Sequence, residues 1–191
     1  LHAEQAFGQG RGVIFFGPHC GSFELGPQAL AELYGPITAI YRPARKPWLA
    51  AIEQATRQRP QLTVVPAGLS GIRLMHKALK ANHTLALLCD RDLTGTGPEV
   101  EFFGERTTLP GGPATLALRT GAPLLPTAIY FDGPDQRRSV VLPRLDTARH
   151  GKLRDDVQRV TQDLAHALED LIRRAPEQWH LLQPNWPSDV S

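Results

Sequence analysis

Gly12-Val13-Ile14-Phe15-Phe16-Gly17, running on into Pro18-His19-Cys20-Gly21-Ser22-Phe23-Glu24, is the stretch that decides the fold. Its four consecutive apolar residues are too few for a helix. They lack polar alternation, so they fit a strand covered on both faces, as in a sheet packed between helices. The glycines and Pro18 end that strand, and from about Phe23 to Tyr34 the apolar positions take helical spacing. Ile37 to Tyr41 then offers a second short strand.

Outward from there the rhythm continues. A helix opened by Pro47 carries Trp48, Ile52 and Ala55; strand Leu62 to Val65 follows, then a helix with Ile72, Met75 and Leu79, then strand Thr84 to Cys89. Residues 90–112 break the pattern as a long polar, glycine-rich segment, and connections of that length inside a compact domain are usually functional or mobile. A short helix around Ala114 to Arg119, strands Leu124 to Phe131 and Ser139 to Leu142, and a closing helix complete the series. That last helix is marked by Leu153, Val157, Val160, Leu164, Leu168 and Leu171, recurring at steps of three and four. The tail from Pro176 is expected to lie against the domain as irregular structure. The alternation predicts an α/β fold: one domain over residues 1–191, with a central mixed, largely parallel sheet flanked by helices.

Bulk properties narrow the function classes. The chain's 191 residues, 41% hydrophobic and 21% charged, suit one globular domain with a sizeable core. The net charge of +2, from 21 basic and 19 acidic residues, gives no overall drive toward nucleic acid. Cys20 and Cys89 lack zinc-type spacing and are too few for a secreted disulfide framework, which points to a reducing compartment. No apolar run reaches about eighteen residues, the length that spans a bilayer. The start at Leu1, so close to a buried strand, leads us to expect that a longer protein contributes an N-terminal portion, where an anchor could lie.

His19 follows the first strand, at the sheet end where α/β proteins usually bind ligands. An imidazole there can accept the proton of an attacking hydroxyl, since its ordinary pKa lies near working pH. Glu24, five positions on, is expected to reach back to the ring and fix its tautomer, the part a carboxylate plays in a serine-protease triad. No enzyme nucleophile is needed if the substrate hydroxyl attacks directly, and no Gly-x-Ser-x-Gly elbow is present. The same spacing also fits a polar loop followed by a helix-start carboxylate favoured by the helix dipole.

Longer motifs carry more information. The His-x-Gly-x-x-Glu segment at His19, Tyr41-Arg42-Pro43, Asp90-Arg91-Asp92, Phe102-Phe103-Gly104 and Leu109-Pro110-Gly111-Gly112-Pro113-Ala114 through Thr120-Gly121-Ala122-Pro123 resemble the bacterial lipid A late acyltransferases and their relatives, over nearly the whole chain. Within that glycerolipid-acyltransferase-like superfamily, three runs look most like the phosphatidylinositol mannoside acyltransferases. They are Asp90-Arg91-Asp92-Leu93-Thr94, Glu99 to Glu105, and Trp179-His180-Leu181-Leu182-Gln183-Pro184. Tyr41-Arg42-Pro43 leans toward the lipid A branch. Ser22 and Phe23 stand where the family often has Asn and Trp, so an amide is replaced by a hydroxyl.

The resemblance implies a long-chain acyl-CoA or acyl-carrier-protein donor and a membrane glycolipid acceptor, most of all a phosphatidylinositol mannoside. It further implies peripheral contact with the cytoplasmic face of the plasma membrane, no metal, and no cofactor beyond the acyl thioester itself. His19 and Glu24 take the places of the family's histidine and acid, and Asp90 that of a second catalytic acid. Arg42, Arg57, Arg91, Asp92 and Glu99 fall among residues expected to bind substrate.

Two readings of other classes stay open. Asp90-Arg91-Asp92 after a strand also fits the Asp-x-Asp of metal-dependent glycosyltransferases, since hard cations favour carboxylates, or strand-end aspartates that merely form turns. A lipid-binding domain that lost its chemistry would keep the same fold. Arg45, Lys46 and Arg59 fit a solvated basic face, Trp179 and Trp186 fit packing over a core or a membrane edge, and Cys20 fits a small packing residue.

Overall fold

The computed structural model describes residues 2–41, 46, 48–49, 52, 55, 60–66 and 68–190. After a short helix α1 (His2–Phe7), strand β1 (Val13–Gly17) leads through a 3-10 turn (Phe23–Leu25) into α2 (Gly26–Tyr34) and β2 (Ile37–Tyr41). Next come β3 (Leu62–Pro66), α3 (Leu69–Lys80) and β4 (Thr84–Leu88). A separate hairpin pairs β5 (Glu99–Phe102) with β6 (Glu105–Thr108). The chain continues as α4 (Gly112–Thr120), β7 (Leu124–Phe131), β8 (Arg137–Val141) and the 20-residue α5 (Leu153–Ile172). The helix expected from Pro47 onward lies largely outside the described residues.

Six strands form one sheet in the order β3-β2-β4-β1-β7-β8. Among the described residues its pairings are parallel except β7 with β8, so the expected mixed, largely parallel α/β sheet is present. Its interior strand β1 shows why an unbroken apolar run was needed. Ile14 and Phe16 point into a core shared with Met75 and Leu79 of α3, Ala114 and Ala117 of α4, and Val160, Leu164 and Leu168 of α5. Val13 and Phe15 point the other way, against Ala3 and Ala6 of α1 and Leu30 and Ala31 of α2. Each strand residue therefore removes apolar surface from water on one face or the other, the dominant favourable contribution to folding.

The hairpin departs from the irregular segment expected across residues 90–112. Glu99-Val100-Glu101-Phe102 alternates exposed and buried side chains, the strand period. Phe103 and Gly104 turn it with positive φ values of 52° and 81°, as a two-residue primed turn requires. The hairpin is tied to α5, whose Gln162 side chain bonds both the backbone N–H and the carbonyl of Glu101 (2.9 Å each). The first helix also differs from expectation: its opening turn is 3-10 and the α-helical hydrogen bonding starts at Gly26, just before Pro27. Helix α1 carries no signal that set it apart from a polar lead-in.

Candidate active site

Parallel pairing of β1 with β4 sets Gly17 opposite Leu88, and the ladder runs one step further through a bond from the Cys89 N–H to the Gly17 carbonyl (3.0 Å). His19 and Asp90 each lie two residues past that paired register. They therefore emerge side by side at the carboxyl end of the sheet, where α/β folds gather their ligands. Gly21 then turns the chain back: its φ is 58°, and a Cβ there would lie 2.4 Å from the Ile129 carbonyl oxygen, so only glycine fits. The turn is pinned by the Ser22 N–H donating to the same Ile129 carbonyl (2.7 Å).

The imidazole Nδ1 of His19 lies 2.6 Å from Oδ1 of Asp90, and the backbone N–H of His19 donates to Oδ2 (2.9 Å). The carboxylate can only accept, so Nδ1 carries the proton and the lone pair of the neutral ring sits on Nε2. Among the described residues Nε2 has no hydrogen-bond partner, and the side chain is 35% exposed, with Phe23 edge-on to the ring at 5.1 Å. Asp90 is the opposite case, with no exposed surface. Burial pushes its carboxyl up, but the hydrogen bond and charge of the His19 ring, the Trp179 N–H and the His19 N–H outweigh it and hold the group below its ordinary value. Asp90 is thus a buried, ionised carboxylate that orients the ring, and the geometry leaves Nε2 of His19 accessible, an arrangement able to accept a proton from a reactant.

This corrects one expected pairing. The carboxylate that fixes the His19 tautomer is Asp90, brought by strand register, not Glu24, brought by sequence proximity. Glu24 sits exposed on the 3-10 turn, whose geometry places Phe23 against the imidazole.

The other expected residues spread out. Asp92 shapes its own loop: Oδ1 accepts from the Thr94 N–H (2.9 Å) and hydroxyl (2.7 Å), and Oδ2 from the Gly97 N–H (2.7 Å). Asp90 and Asp92 therefore serve separate networks, which removes the support for a shared Asp-x-Asp cation site. Among the described residues no three His, Cys, Asp or Glu side chains converge as metal ligands. Glu99 is exposed and paired with Arg106 across the hairpin at 3.1 Å, and Arg91 is half-buried next to Asp90 in the chain. Arg42 and Arg57 lie outside the described residues, as do Arg45 and Arg59. Cys20, next to His19, is buried and its thiol is pushed up to about 11 by burial, then by the Glu177 and Asp90 charges. It therefore stays protonated and unreactive near neutral pH.

What the residue patterns missed is Trp179. Its indole N–H donates to Oδ2 of Asp90 (2.9 Å) and its ring borders a surface concavity of about 410 Å³, shared with Leu181, Pro184 and Trp186. The sequence offered it within the Trp179-His180 run of the family resemblance and as an aromatic fit for core packing or a membrane edge, with no link to Asp90.

Residues 2–188 match the protein family described as bacterial lipid A biosynthesis acyltransferase. The phosphatidylinositol mannoside acyltransferase of Mycolicibacterium smegmatis is 35% identical over 195 aligned positions, covering 100% of this chain and 62% of the relative. The protein of the same name from Mycobacterium tuberculosis is likewise 35% identical, with 59% of its length covered. The chain thus spans about three fifths of the length of these relatives. A match across almost the full chain, with a histidine and a buried acid paired at the carboxyl end of the sheet, means that the chain belongs to the bacterial lipid A biosynthesis acyltransferase family.

Proposed function

We propose that this chain is the catalytic domain of an O-acyltransferase that moves a fatty acyl group from a thioester onto a hydroxyl of a membrane glycolipid, with a phosphatidylinositol mannoside as acceptor. The observation that carries the reading is the His19–Asp90 pair: Nδ1 is engaged by a buried carboxylate at 2.6 Å while Nε2 is left available. In the proposed reaction Nε2 takes the proton of the acceptor hydroxyl as its oxygen attacks the thioester carbonyl. The new C–O bond forms, the C–S bond breaks, and the departing thiolate takes the proton back from the imidazolium. Asp90 stabilises the imidazolium during that interval without itself becoming protonated.

The concavity beside Trp179, where Leu181, Leu182, Pro184 and Trp186 meet Gln183 and Asp189, is the proposed place for an acyl chain near the pair. The proposal takes acyl-CoA or acyl-carrier protein as the donor, and work at the cytoplasmic face of the plasma membrane by peripheral contact, as what the resemblance implies. Among the described residues no helix is long and apolar enough to cross a membrane. Arg42, Arg57, Arg91, Asp92 and Glu99 are carried as proposed contacts to donor or acceptor, and Glu24, expected as a catalytic acid, as a proposed contact to the reacting groups, all to be ranked by one assay. In that assay the full-length protein is incubated with mixed acyl thioesters and glycolipids, and the products are weighed by mass spectrometry. His19→Ala, folded by circular dichroism, is expected to give no acylated glycolipid. Near-normal turnover by that variant removes the proposal, and a product of lipid A type would reassign the acceptor.

A further inference from the structure

The Asp90 carboxylate is fully buried, so its orientation is set by its donors and not by solvent. Oδ2 receives two, the His19 N–H and the Trp179 indole N–H, each at 2.9 Å, which leaves Oδ1 facing the imidazole. Trp179 reaches this place because the tail after α5 crosses the end of β1 as an added antiparallel bridge, Trp179 opposite Cys20. Bonds on either side fasten the crossing: the Gly21 N–H donates to the Gln178 carbonyl (2.9 Å) and the His180 N–H to the His19 carbonyl (2.8 Å). The indole plane is held by Trp186 (6.1 Å between centroids, 81°) and Phe102 (6.1 Å, 84°), and the Asn185 amide donates to the Asp90 carbonyl (3.2 Å). One tail segment therefore grips both halves of the pair, His19 through its backbone and Asp90 through a side-chain donor.

From this arrangement we infer that Trp179 is a positioning residue for the proposed acyl transfer, its indole N–H fixing the Asp90 carboxylate so that one oxygen presents to His19 Nδ1. The role rests on the His19–Asp90 reading of the site. It has two consequences. Without the donor, the carboxylate rotates more freely and the imidazole is less often in its productive pose, which lowers the rate without touching substrate affinity. The same N–H also draws charge from Oδ2, so its loss leaves a more basic carboxylate that holds the proton on His19 more firmly.

Two replacements test this: Trp179→Phe, and Trp179→benzothienylalanine, which keeps the bicyclic shape and puts a sulfur where the N–H was. Trp186→Phe serves as the control for the titration alone, because that indole donates to the Phe102 carbonyl (2.9 Å) and not to Asp90, and a Phe ring keeps an aromatic face toward Trp179. The readouts are kcat and KM in the full-length protein and the His19 ring titration by NMR, assigned with His19→Ala. The other titratable or charged groups on the surrounding segments are Cys20, Cys89, Glu24, Arg91, Asp92, Glu177 and His180. All are unchanged in every variant. Both Trp179 replacements are expected to lower kcat about tenfold, with KM held within about twofold in the benzothienylalanine variant, which keeps the bicyclic wall of the concavity. They are also expected to raise the His19 titration by about half a pH unit. Trp186→Phe is expected to leave that titration in place. A His19 titration that coincides with the parent's in both Trp179 variants overturns the inference, even if the rate has dropped. The titration needs no turnover, so this inference and the proposed chemistry fail separately.

Discussion

His19 and Asp90 are 71 positions apart in sequence, yet Nδ1 of one and Oδ1 of the other lie 2.6 Å apart because β1 and β4 are parallel neighbours in register. Asp90→Asn exploits that contact with almost no change in shape. An amide can donate to Nδ1, which moves the ring proton to Nε2 and removes the base. By analogy with the same change in a serine-protease triad, kcat is expected to fall on the order of 10³- to 10⁴-fold with the fold retained. Nitrogen NMR of the imidazole checks the cause: the proton should sit on Nε2 in Asp90→Asn and stay on Nδ1 in Glu24→Gln. An unchanged tautomer in Asp90→Asn would show that the carboxylate does not set it.

The opposite side of the His19 loop depends on a buried hydroxyl. Tyr130 on β7 is fully buried and donates to the Leu171 carbonyl in the last turn of α5 (2.7 Å). The contact joins the sheet to the helix beneath the loop that carries Cys20. Tyr130→Phe keeps the ring and leaves the Leu171 carbonyl to the backbone N–H of Arg174 (3.3 Å), so a loss of about 1 kcal/mol, that of one hydrogen bond, is expected in urea unfolding. A midpoint equal to the parent's would mean that water or another donor takes over the carbonyl.

Much of this was legible because the strands that build the sheet are short, apolar and bounded by glycine and proline, signals that act locally. His19 was legible as well, since a histidine just past the first strand must sit at the sheet's carboxyl end. Its partner was harder to assign. Glu24 is near in sequence, whereas Asp90 is near only once the order β4-β1 places two strand ends together, and local spacing carries no information about strand order. The hairpin was hidden by its four-residue strands and by a turn that puts Phe103 at positive φ, a conformation the residue type does not announce. Trp179 was hidden for a third reason: its donor is delivered by an irregular tail, 89 positions from Asp90, where no periodicity applies.

Cys20 lies beside the base and invites a covalent reading, which its surroundings oppose. Burial first, then the charges of Glu177 and Asp90, push its thiol up to about 11, and a thiol, unlike a thiolate, is a poor nucleophile. Cys20→Ala is expected to keep kcat within about threefold of the parent, and iodoacetamide should leave the folded protein's thiols largely unmodified at about pH 7. An acyl-enzyme on Cys20 trapped in the mass spectrum would reverse this expectation.

The stability of the pair has a predictable acid limb. Burial pushes the Asp90 carboxyl up, but bonds and charge from the His19 ring, the Trp179 N–H and the His19 N–H bring it below its unfolded value. Between those two values the unfolded chain binds the proton that the native chain refuses. The stabilisation from Asp90 is therefore complete above the unfolded carboxylate pKa and drains away as pH falls toward the folded one. Asp90→Asn has no proton to take up there. Its urea midpoint should lie below the parent's near pH 7, and the gap should narrow on acidification toward about pH 3. A gap of constant size across that range would mean that Asp90 stabilises the fold by packing alone, with no linkage to its charge.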